Sequence, residues 1–98
     1  MDIQVLRNLT TGRLHTEITD VYEAIEFFIS EPGIMTHQLP SARAALLPFL
    51  REQFTDPRLW DDQYDPSHTG EVDAAPLNRE QLQKFWYGFR VARSKDSF

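Results

Sequence analysis

The chain has 98 residues, a 41% hydrophobic share that includes seven Phe, three Tyr and two Trp, no cysteine, and a net charge of −5. One small domain spanning residues 1–98 is expected, burying roughly 60–65% of its unfolded surface around a real core, so disorder is excluded. Without cysteine there is no disulfide, thiolate metal ligand or thiol nucleophile, and the acidic balance argues against direct contact with nucleic acid, which demands Lys and Arg.

Met1-Asp2-Ile3-Gln4 lacks the basic and apolar pattern of a leader. No apolar run approaches the ~20 residues of a membrane span, so a soluble protein with no membrane partner is expected. At the N-terminus Ile3 and Val5 alternate with polar residues, as do Leu14, Thr16 and Ile18, and Thr10-Thr11-Gly12 is acceptable turn chemistry. This pattern predicts a β-hairpin; a short helix over residues 3–10, ended by Gly12, competes with it. Asp20 and Glu23 then have capping-box spacing, and Val21, Ile25, Phe28 and Ile29 form one stripe of a helix that Glu31-Pro32-Gly33 stops. Phe27 projects from the other side.

A second helix starts near Leu39-Pro40 and buries Ala42, Leu46, Leu47, Leu50 and Phe54, with Pro48 expected to kink it. Asp56-Pro57 opens a short turn carrying Leu59 and Trp60. A long acidic loop at residues 61–76 follows, and then a helix capped by Asn78 and Gln81 with a core stripe of Leu82, Phe85, Trp86 and Phe89. Tyr87 and Val91 pair at i,i+4 on its far side, with Gly88 alongside. The expected fold is therefore α+β, an N-terminal hairpin plus three amphipathic helices at about 20–30, 39–54 and 78–93; a small all-α bundle is the alternative.

Few constellations carry chemistry. With Asp65 as position 1 of a calcium loop, the side-chain oxygens of Asp65, Ser67, Thr69 and Asp73 fall at alternate positions, Glu71 adds a carboxylate, and Gly70 sits where the sharp turn is needed. The segment resembles EF-hand and dockerin loops, but Pro76 stands where the closing bidentate carboxylate belongs. A weak calcium-binding loop is thus one alternative function. His15, His37 and His68 lack zinc-ligand spacing, and no nucleophile elbow or glycine-rich phosphate loop occurs. No catalytic residue, metal or cofactor is expected, and the protein is read as a non-enzyme.

The stretch from Ile18 to Tyr22, the helix after it, and the box Gly33-Ile34-Met35-Thr36-His37-Gln38-Leu39-Pro40 resemble a family of small proteins encoded by tailed phages and prophages. The likeness covers residues 18–45 and departs at Ser41, where the family carries Arg. It implies a protein of the host bacterial cytoplasm. By analogy with other small acidic phage proteins, it implies an inhibitor of a host defence protein, of the anti-CRISPR kind. Thr36, His37 and Gln38 are expected either to satisfy backbone groups or to take part in recognition.

The surplus of aromatic surface gives the leading expectation: a protein-interaction module, inhibitor or adaptor, that meets a host protein or a second copy of itself. Phe27, Trp60, Tyr87 and Val91, with Asp61, Asp62 and Asp65 beside them, are the expected partner-binding residues. An acidic mimic of nucleic acid is the remaining alternative.

Overall fold

The Asp2 carboxylate accepts from the Gln4 and Val5 amides at 2.8 and 3.2 Å, satisfying two of the free donors at a helix start. The helix so begun, α1 (Ile3–Thr11), ends at Gly12 in the left-handed region, with φ of 72°. A computed structural model describes residues 1–63 and 65–95 of the chain. In it, α1 is followed by α2 (Ile18–Ile29), a 3-10 turn (Thr36–Gln38), α3 (Leu39–Gln53), a second 3-10 turn (Pro57–Leu59) and α4 (Arg79–Lys95). No helix among the described residues is long and apolar enough to cross a membrane.

The fold is an all-α bundle, so the expected α+β arrangement is wrong. No strand forms among the described residues; an isolated antiparallel bridge joins Asp2 to Glu71. The N-terminal hairpin fails because its two halves are used otherwise. Leu6 and Leu9 are fully buried on one face of α1, a helical spacing that outweighs the local alternation of Ile3 and Val5. Leu14 and Ile18 are exposed, and Ile18 opens α2 rather than pairing across a sheet. The competing short helix ended by Gly12 is what the chain adopts.

The other helices follow their apolar stripes. Val21, Ile25, Phe28 and Ile29 of α2 are buried, as are Ala42, Leu46 and Leu50 of α3 and Phe85 and Phe89 of α4; Leu47, Leu82 and Trp86 pack half-buried against them. Asn78 and Gln81 cap α4 reciprocally, each side-chain oxygen taking the other's amide at 2.8–2.9 Å. The expected Asp20–Glu23 box does not form: the N-cap lies three residues earlier, at Glu17, and has no side-chain cap. Pro48 sits inside α3, which continues through it to Gln53.

Gly12 is fixed twice over. Arg43 of α3 donates to the carbonyls of Leu9 and Thr10 (2.7 and 3.2 Å), placing a cation on the negative end of α1. A Cβ on Gly12 would stand 3.0 Å from the Arg43 guanidinium carbon. Gly12→Ala should therefore cost about 1–2 kcal/mol in urea unfolding from the left-handed backbone alone, plus whatever Arg43 loses by moving aside.

Candidate functional site

The polar side of α1 organises the segment between α3 and α4. Arg7 is 1% exposed, and its guanidinium has no carboxylate partner among the described residues. It donates instead to the backbone carbonyls of Asp61 (2.8 Å), Gln63 (2.6 Å) and Asp65 (3.5 Å). One turn earlier, Gln4 Nε2 donates to the carbonyls of Asp65 and His68 at 3.1 and 2.6 Å; one turn later, the Thr10 hydroxyl donates to the Leu59 carbonyl. The 61–76 loop is thus read by a row of donors at helical spacing. Its backbone closes on the chain start through Ile3 N–H to Gly70 O (2.9 Å) and Val72 N–H to Met1 O (2.8 Å). Residue 64 lies outside the described residues.

On the same helix, buried Asn8 holds the α1–α2 connection. Its Oδ1 accepts from the His15 and Thr16 amides (2.6 and 3.2 Å), and its Nδ2 donates to the Thr16 hydroxyl (2.7 Å). The Thr11 hydroxyl gives its single proton to the Arg7 carbonyl, so its 3.0 Å contact with His15 Nε2 assigns the proton there to the imidazole. Burial, and then the Arg7 and Arg13 charges, lower the His15 pKa and favour the neutral ring.

The loop's carboxylates are largely committed internally. Asp65 accepts from the Ser67 hydroxyl and amide (2.5 and 3.0 Å) and from Arg58 (3.0 Å); Asp62 pairs with Arg13, and Glu71 with the Met1 amino group. Asp61 accepts from the Gln63 amide, and Asp73 is exposed. Of the calcium-loop positions, Asp65 and Ser67 bond each other, Glu71 is drawn to the Met1 amino group, and Asp73 stands exposed. Among the described residues, no three His, Asp or Glu side chains are grouped to hold a metal ion.

The aromatic residues expected to meet a partner separate into two kinds. Trp60 is part of the fold: it is half-buried, its indole N–H donates to the Phe54 carbonyl at 3.0 Å, and the Arg51 guanidinium lies 4.3 Å over its ring. Phe27 (41% exposed), Tyr87 (66%) and Val91 (37%) do face solvent. Val91 lines an open groove of about 480 Å³ between α3 and α4, floored by Ala44, Ala45, Pro48 and Phe49 and flanked by Glu52 and Lys84. A Cβ on Gly88 would lie 3.6 Å from that of Ala45, an ordinary van der Waals contact, so the packing of α4 on α3 does not demand glycine there. Pro48 has no N–H, so the Ala44 carbonyl lacks its usual i+4 helical donor. Gly88 lies beside Val91, as its place in the sequence suggests, whereas the part of Ala44 and Pro48 in a groove has no sequence signal beyond the interior proline.

The box at residues 33–40 divides similarly. Gln38 Oε1 accepts from the Met35 amide (2.9 Å), and Thr36 shares a 2.6 Å contact with the Tyr22 hydroxyl. Glu26 takes the Gly33 amide at 2.8 Å. His37 and Met35 stay exposed, so Thr36 and Gln38 hold the turn while His37 is displayed by it.

Two measurements check this geometry. Arg7→Met takes the guanidinium donors from the Asp61 and Gln63 carbonyls and should lower the urea-unfolding free energy by about 3 kcal/mol. Arg7→Lys should recover only part of that, because one ammonium cannot span the same three oxygens. For Asp65, the Ser67 hydroxyl first and Arg58 second hold the carboxyl at about 2, against an ordinary value of 3.8. Its contribution to stability is therefore complete above pH ~4 and is lost as pH falls towards 2. Carboxyl titration by NMR should show the Asp65 midpoint moving up in Ser67→Ala.

No curated protein and no solved structure is significantly similar to the chain. Residues 1–60, from the chain start through the second 3-10 turn, match a family model described as a domain of unknown function, DUF7736. With more than half of its length matched, and with the capped α1 and the three-helix frame inside the match, the chain belongs to the DUF7736 family.

Proposed function

We propose that this protein is a non-catalytic interaction module whose contact surface is the outer face of α4 and the groove beside it. The observation that carries this is Tyr87, a large aromatic side chain two-thirds exposed on a rigid helix, one turn from Val91 at the lip of an apolar groove. Rigid aromatic anchors next to a concave apolar patch are the composition of binding hot spots, and exposing them in a lone protomer gains the fold nothing. The flanking Lys84 and Glu52 supply a polar rim of both signs.

The likeness of residues 18–45 to phage-encoded proteins supports a target among host proteins, defence proteins included, met in the bacterial cytoplasm. A second copy of the chain could use the same face, since an exposed helix can pack against its own symmetry mate. The dispersal of the Asp65–Asp73 donors favours this reading over the calcium-loop alternative. The internal pairing of Asp62, Asp65 and Glu71 weighs against an acidic nucleic-acid mimic built on that loop.

Tyr87→Ala with Val91→Ala should leave circular dichroism and the urea midpoint close to those of the parent, because neither side chain is in the core. The same double variant should abolish self-association in light scattering or capture of the partner from bacterial lysate. A double variant that no longer folds, or one that assembles as before, would remove this face from consideration.

A further inference from the structure

A second surface, on α2 and α1, has a different chemistry from the α4 face and does not depend on it. Phe27 stands 41% exposed at one end of an open depression of about 260 Å³ lined by Met1, Val5, Ala24, Asp20 and Glu23. The floor is apolar, and the two carboxylates occur on the same stripe of α2, with Asp20, Glu23 and Phe27 spaced at i, i+3 and i+7.

No cation among the described residues pairs with either of these acids. Neither the Asp20 nor the Glu23 side chain takes part in a hydrogen bond or ion pair among the described residues, whereas Asp62, Asp65 and Glu71 each have a cation. Among the described residues that line the depression, the positive group is the Met1 amino group, which lies 3.0 Å from Glu71 and is already matched. In a chain of net charge −5, the negative potential over this depression is therefore uncompensated by the fold.

We infer that the α1–α2 depression binds a cationic amphipathic helix, one large apolar side chain seating beside Phe27 while Lys or Arg residues on the adjacent turns pair with Asp20 and Glu23. The depression has room for one anchor rather than a row of them, so specificity comes from charge placement around a single apolar contact. A neutral apolar partner would bury both carboxylates without counter-ions, and an acidic one would be repelled. The occupant is thus fixed in chemistry by the two unpaired acids and in size by the volume beside Phe27.

The test uses a helical Leu/Lys peptide and its Leu/Glu counterpart, titrated into the labelled protein and followed by fluorescence anisotropy. The Leu/Lys peptide should bind with an affinity that falls as salt is raised, and the Leu/Glu peptide should not bind. Asp20→Lys with Glu23→Lys should weaken binding by about tenfold or more, and Phe27→Ala should do the same at unchanged net charge. Glu23→Lys alone, at mid-helix, serves if the double variant fails to fold. Asp73→Lys with Glu80→Lys changes net charge equally at exposed sites that line neither surface and should leave affinity within about twofold of the parent. Equal losses in the two charge-reversed proteins would reduce the effect to net charge and overturn the proposal. So would an unaffected Phe27→Ala or a Leu/Lys peptide that does not bind.

Discussion

Burying the Arg7 guanidinium among the carbonyls of residues 61, 63 and 65 obliges the chain between α3 and α4 to wrap back over α1. A buried cation without donors satisfied would be severely destabilising, and backbone carbonyls are the acceptors supplied here. They carry no net charge, so the clamp fixes the path of the loop without consuming any of its carboxylates. Those side chains remain on the outside, where Asp62 and Asp65 find Arg13 and Arg58. Gln4 and Thr10 extend the same logic one turn in each direction.

This arrangement explains why a nine-residue helix is stable at all. Isolated helices that short are marginal in water. Here α1 has Asp2 at its start, Gly12 and Arg43 at its end, Leu6 and Leu9 in the core and a polar side bonded to the loop. Both ends and most of its surface are committed, Val5 at the edge of the α2 depression excepted, which leaves little of the helix free for a partner. The surfaces that remain uncommitted are on α2 and α4, and both combine exposed apolar side chains with nearby charge.

The longer helices were legible because their apolar residues recur at the right spacing over several turns. The Asn78–Gln81 cap and the outward placement of Phe27, Tyr87 and Val91 were legible for the same reason. The N-terminus was misread because a short alternating segment fits a strand as well as one helical turn, and what decides between them is distant. Residues 59–72 supply the acceptors that make helical spacing of Gln4, Arg7 and Thr10 favourable, and no local pattern announces them. Trp60 shows the converse error: its place in a turn suggested exposure, while the Phe54 carbonyl and Arg51 draw it into the fold.

The attachment of α4 has a consequence for how the molecule breathes. Its leading end is pinned, by the Leu77 amide to the Phe28 carbonyl (2.8 Å) and by Gln53, which clasps the backbone of Ala75 through both amide atoms (2.8 and 3.1 Å). Beyond that hinge the helix leans chiefly on α3. Any partial opening of α4 must therefore break that one seam, in which Phe85 and Phe89 are buried. Such an excursion would bare Phe85 and Phe89 together with the underside of α3, turning a sealed seam into a transient sticky cleft.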